Sequence, residues 1–120
     1  MLRSTGLIVP ATGGAAGVLH LMEDYLQTEF PDLRAWLTST TEHWAVVAVQ
    51  GPNAQAVMAT LTESASIPHM AVTACIIAGI PCRLFRVSFT GETGYEINVP
   101  AGHAQAIWDA VLDAGAEHAI

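Results

Sequence analysis

The sequence predicts an α+β fold: a largely antiparallel sheet with helices packed on one side, ferredoxin-like in arrangement. Three observations predict it. Apolar stripes at helical spacing alternate with short apolar runs of strand length. The runs in the second half are joined by turns too tight to hold a crossover helix, so hairpins predominate. At 120 residues the chain is long enough for one compact domain and too short for two.

The elements follow in order. Gly6-Leu7-Ile8-Val9 is a possible opening strand. Thr12 to Ala16 reads as a cap and helix start, because the Thr12 hydroxyl can accept from a free helical N–H. Val18, Leu19, Met22, Tyr25 and Leu26 then form one apolar stripe on a helix from about Gly14 to Glu29, which Pro31 stops. Ala35 to Ser39 reads as a strand, joined through Thr40-Thr41-Glu42 to a stronger one at Trp44 to Val49. The latter is apolar at every position, which predicts a mid-sheet strand covered on both faces. Pro52, suited to a first helical position, opens a helix to about Thr62 with Ala54, Val57, Met58 and Leu61 on its stripe. Val72 to Ala78 turns at Gly79 into a strand from Pro81 to Thr90, and Tyr95 to Val99 is the last strand. A final helix spans about Ala101 to Ala114. Ala104, Ile107, Trp108, Val111 and Leu112 are its expected buried face, and Gly115 its C-terminal cap.

Composition narrows the functions open to the chain. Its net charge of −7, with four arginines and no lysine, offers no basic stripe for a phosphate backbone or an anionic membrane. No nucleic acid and no membrane partner is expected. Met70 up to Arg83 is the longest apolar run, and Thr73, Gly79 and Pro81 break it, well short of the ~20 residues a span requires. With no evident secretory leader and only two cysteines, a cytoplasmic setting is expected. There Cys75 and Cys82 are read as buried thiols rather than a disulfide. Hydrophobic residues make up 52% of the chain against 12% charged, so the chain is expected either to bury both faces of its sheet or to lean on a partner that covers it.

Several patterns point away from chemistry. Gly13-Gly14-Ala15-Ala16-Gly17 lacks both the dinucleotide spacing and a phosphate-binding lysine, so it reads as a closely packed helix start. The five histidines show no ligand spacing, and no metal is assigned. No catalytic residue is assigned either.

The most informative phrase is Phe89-Thr90-Gly91-Glu92-Thr93-Gly94-Tyr95-Glu96-Ile97, a strand, a glycine-bearing turn and a strand. Glu96 stands between apolar neighbours, where a carboxylate needs partners. A ligand edge with a ring N–H beside an amino group would suit it, since a carboxylate accepts two parallel bonds. A pairing with Arg83 or Arg86, or a position facing solvent, is the simpler explanation from spacing alone. Three residues apart on one strand, those two arginines must point to opposite faces.

This phrase resembles the signature of the glycine-cleavage T-protein family, the aminomethyltransferases. Longer stretches are similar to the branch of that family at the end of the alpha subunit of multimeric sarcosine oxidases: Glu23 to Leu33, Thr38 to Ala45, Val49 to Pro52 and Arg83 to Glu92. The similarity runs from Gly13 onward. The resemblance implies a T-protein-type folate-binding domain in which Glu96 holds the pterin ring of tetrahydrofolate and Phe89 lines its pocket. Where the family carries tyrosine at the latter position, this chain lacks the hydroxyl. The family's catalytic aspartate lies upstream of the matched segment, and an arginine-bearing folate stretch lies beyond Ile120. The chain is therefore expected to be a single incomplete domain over 1–120, catalytically inactive alone. Other segments and subunits of a hetero-oligomeric sarcosine oxidase are its expected partners, with flavins and NAD confined to the rest of that parent. In such a parent, the one-carbon unit from sarcosine passes to tetrahydrofolate, giving 5,10-methylenetetrahydrofolate. A non-enzymatic assembly module and a stand-alone folate-binding regulator are the rival readings.

Overall fold

The computed structural model describes residues 5–10 and 12–118. The chain forms two compact units, Met1–Ser39 and Thr40–Ile120.

The first unit is built on helix α1 (Ala15–Thr28), entered through a 3-10 turn at Thr12–Gly14. Its N-cap is Gly14, which has no side chain to offer, and the Thr12 side chain lies outside the described residues. Thr28 bonds back to Asp24 O at 2.9 Å, and the N–H groups of Glu29 and Phe30 both donate to Tyr25 O, closing the last turn just before Pro31. No residue of α1 is fully buried. Residues 6–9 and 35–39 are not strands. Nor is there a hairpin through Thr40-Thr41-Glu42, where Thr41–His43 is a 3-10 turn.

The second unit carries the sheet. It contains β1 (Trp44–Gln50), α2 (Ala54–Leu61), β2 (Val72–Ile77), β3 (Ile80–Phe85), β4 (Gly94–Pro100) and α3 (Ala104–Gly115). The four strands pair antiparallel throughout, in the order β1-β4-β3-β2. The α+β class with an antiparallel sheet is therefore as the sequence predicts. The hairpin between β2 and β3 turns through Ala78 and Gly79, both at positive φ (50° and 78°), the geometry that matches the twist of two flanking strands. Pro81 sits in β3 at a point where only β2 pairs with it. The β3–β4 ladder begins at Arg83 opposite Asn98, so the proline's missing N–H breaks no ladder.

Alternation along the strands sorts their side chains into two faces. On one, Val47, Val49, Tyr95, Ile97, Val99, Leu84, Cys82, Cys75 and Ile77 meet Ala54, Val57 and Met58 of α2 and Ile107 and Val111 of α3. This is the core. The Tyr95 hydroxyl, fully buried, donates to Ala65 O at 2.6 Å and ties the loop after α2 to the sheet.

Two expectations are corrected here. β1 is an edge strand, not a central one, because among the described residues its only partner is β4. Its unbroken apolar run serves one helix-covered face, while Val46 and Ala48 on the other are exposed. On α3 the buried stripe is Ile107, Val111 and Gly115. Trp108 and Leu112 remain 51% and 43% exposed, and the helix runs through Gly115 into a 3-10 turn rather than capping there.

Candidate functional site

The second face of the sheet carries Trp44, Val46, Ala48 and Gln50 from β1, Gly94, Glu96 and Asn98 from β4, Arg83 and Phe85 from β3, and Val72, Ala74 and Ile76 from β2. Within this unit both α2 and α3 lie on the opposite side. Val46, Val72 and Ile76 are each more than half exposed. An apolar sheet face this open, with a carboxylate and an amide set into β4, is the most distinctive surface of the unit.

The glycine-bearing phrase shapes one border of it. Sequence alternation predicts that the strand entering this phrase continues to Thr90, but β3 ends at Phe85. Arg86 still donates its N–H to Ala71 O (2.9 Å) and accepts from Met70 N–H (2.7 Å), so the chain before β2 holds it. From Val87 onward the chain leaves the ladder and crosses above Gly94. A Cβ on Gly94 would stand 2.5 Å from the Val87 carbonyl oxygen and 3.4 Å from Ser88 Cα. No side chain fits under that crossing, which is the physical reason for the second glycine of the phrase. The first, Gly91, takes φ +83°, a conformation L side chains rarely adopt. The turn closes where Gly51 N–H donates to Thr93 O at 2.9 Å.

Glu96 lies two residues past this crossing, half-buried on the open face, with Ala48 and Phe85 as its cross-strand neighbours. Neither arginine holds it. The Arg83 guanidinium lies 4.1 Å from the centre of the Trp44 ring, on the Glu96 side of the sheet. Arg86 lies 4.9 Å from the Tyr95 ring, on the core side, and donates to Gly94 O at 3.3 Å. The two arginines thus point to opposite faces, as strand spacing requires, and each is engaged by an aromatic ring. The Glu96 carboxylate has no hydrogen-bond or ion-pair partner among the described residues. Asn98, on the same face, is 8% exposed, and its Nδ2 has no partner either.

Phe89 is 94% exposed, in the loop after the crossing. The expected cavity at Glu96 and Phe89 is not closed by this unit. Neither of the two hollows described next contains either residue. One, about 380 Å³, is lined by His69, Arg86, Ser88, Gly91, Glu92 and Thr93. The Ser88 hydroxyl there is buried without a partner. The other, about 400 Å³, lies between β1 and the two helices beside Trp108 and Leu112.

Asn98 escaped the sequence reading because an Asn between Ile97 and Val99 carries no sign of its burial. Its place two residues from Glu96, and so on the same face, was the available signal.

Cys75 and Cys82 are cross-strand partners in the core and are free thiols. Burial pushes both pKa values above the ordinary thiol value. For Cys82 the neighbouring Cys75 adds to the rise. Among the described residues no three His, Cys, Asp or Glu side chains gather to hold a metal, and no helix is long and apolar enough to cross a membrane.

An antiparallel sheet backed by two helices, with a motif glutamate on its open face, defines an α+β unit. The chain matches the family described as the GCVT N-terminal domain over residues 3–120, and it belongs to that family. It is 41% identical over 117 residues to sarcosine oxidase subunit alpha of Corynebacterium sp. (strain P-1), covering 92% of this chain and 12% of that protein. It is 37% identical over 115 residues to the subunit of that name from Rhizobium meliloti (strain 1021), covering 91% of this chain and 12% of that one. An aminomethyltransferase of Shouchella clausii (strain KSM-K16) is 42% identical over 118 residues, which is 91% of this chain and 32% of that protein. The chain thus spans about an eighth of the sarcosine oxidase subunits it matches.

Proposed function

We propose that this chain is part of a folate-binding domain of the sarcosine oxidase alpha type, a single incomplete aminomethyltransferase-like domain over 1–120. It would contribute Glu96 and Phe89 to a site completed by other segments. The carrying observation is the unpartnered Glu96 carboxylate on an open apolar face, with both nearby arginines engaged elsewhere. A carboxylate so placed fits the amino and ring N–H groups of a pterin, accepting one bond on each oxygen. Family membership and the sarcosine oxidase and aminomethyltransferase names of the relatives support the same ligand. Tetrahydrofolate bound there would supply the nitrogen nucleophiles that take up the one-carbon unit from the imine of sarcosine oxidation, giving 5,10-methylenetetrahydrofolate and releasing glycine. The chain's own part is to hold and orient the ring. The catalytic group, and the rest of a hetero-oligomeric parent, lie outside it.

With one wall of the pocket, binding should be weak. A dissociation constant near ~1 mM corresponds to only about −4 kcal/mol. The test is a tetrahydrofolate titration of the chain followed by amide NMR. Shifts should centre on Ala48, Phe85 and Gly94–Asn98, and Glu96→Gln should weaken binding about tenfold or more, as loss of a charge-assisted bond does. Unchanged binding by Glu96→Gln, or shifts confined to the far side of the sheet, would refute the reading. Low-micromolar binding would refute the incompleteness.

A further inference from the structure

We infer that the free edge of β1 takes an added strand, a basic extended segment of another protein chain. Its apolar side chains would enter the hollow beside Trp108 and Leu112, and its Lys or Arg side chains would meet Asp109 and Asp113. The folate reading is not needed for this.

β1 offers the backbone. Bonded and unbonded pairs alternate along an antiparallel ladder. Gly51 N–H donates to Thr93 O, one step past the Gln50–Gly94 pair. Val49 and Val47 therefore face β4, while Val46, Ala48 and Gln50 turn their N–H and C=O groups to the open edge. Among the described residues no strand meets them. Folded chains usually blunt such an edge with a charge, a proline or a bulge. Trp44–Gln50 has none of these, and its register with β4 is unbroken. β2 is open on its outer side as well, but the hollow of about 400 Å³ borders β1. An added strand turns every second side chain toward the helix layer. There Val49, Val57 and the half-exposed Trp108 and Leu112 line a space for apolar ones.

Charge selects the occupant. Asp109 and Asp113 directly follow Trp108 and Leu112 on α3, one turn apart and exposed. Gln105 Nε2 donates to Asp109 at 2.8 Å. The two arginines of this unit are held over the Trp44 and Tyr95 rings. Thr40–Ile120 carries seven carboxylates against those two arginines, so a second copy would set acid against acid along the seam. A strand with Lys or Arg beside its apolar anchors complements both the hollow and the acids.

The probe is a capped peptide as long as β1, alternating valine and threonine between terminal arginines, titrated into the ¹⁵N-labelled chain. Amides of Val46, Ala48 and Gln50 and the Trp108 indole should shift by about 1 mM peptide. Asp109→Asn with Asp113→Asn, both on the surface, should melt with the wild type and bind about threefold more weakly. A peptide with terminal glutamates should lose at least as much. Ala48→Pro removes an outward N–H, keeps the β4 ladder and should abolish the shifts. Absent shifts, shifts confined to β2, or wild-type binding by the glutamate peptide, the asparagine variant or the proline variant would each overturn the inference. So would a dimer in sedimentation that Ala48→Pro dissolves, which would make a second copy the occupant.

Discussion

Gly94→Ala tests how the motif builds its border. The new Cβ would lie 2.5 Å from the Val87 carbonyl oxygen. Real Cβ atoms essentially never stand within 3.0 Å of another heavy atom, so the crossing segment would have to rise by about 0.5 Å or more. The obstacle is backbone, and it cannot swing aside as a side chain would. The chain on either side is also tied down: Arg86 is bonded to Ala71 and Met70, and Thr93 O accepts from Gly51. Overpacking of this kind costs about 1–3 kcal/mol, and for a unit of this size 1 kcal/mol moves the melting temperature by about 4–8 °C. A drop of about 10 °C is expected in a thermal scan followed by circular dichroism. The control is Gly102→Ala, where the added Cβ meets nothing within 4 Å, and it should melt with the wild type. If Gly94→Ala also melts within 2 °C or so of the wild type, the crossing over β4 is not the constraint argued here.

Two further outcomes follow from the core. Tyr95→Phe leaves Ala65 O without its buried donor and should cost about 1–2 kcal/mol in urea unfolding; a midpoint equal to wild type would show that the 2.6 Å bond holds nothing. Burial raises the Cys75 and Cys82 thiol pKa values above 9.0, so the folded chain keeps protons that the unfolded chain releases. Their stabilisation is then full below the ordinary thiol value and is lost as pH rises through the folded values. The urea midpoint should fall between pH 8 and pH 10, and a Cys75→Val, Cys82→Val variant should flatten that fall; an equally steep fall in the variant would assign it to other groups.

The parts of the fold that were legible in the sequence are those whose signals are local. The stripes of α1 and α2, the alternation of β3 up to Phe85 and the glycine turn of the hairpin each follow from residues a few positions apart. What the sequence misplaced depends on partners far away in the chain. An apolar run such as Trp44–Gln50 does not say whether it has one neighbour or two, and here β4, some fifty residues on, is the only one among the described residues. Ala35–Ser39 has strand composition but no ladder to join. The site divides along the same line. Glu96 was legible because its motif is contiguous, and the glycines of that motif are explained by a turn and a crossing. Asn98 was not, because only burial distinguishes it from a surface asparagine. Phe89, expected to line a pocket, stands almost wholly exposed. A motif can therefore fix which groups point out of a sheet, but the cavity they serve is a property of two surfaces. That is why the role proposed for Glu96 is argued from one strand, while the enclosure it would need calls for a second surface.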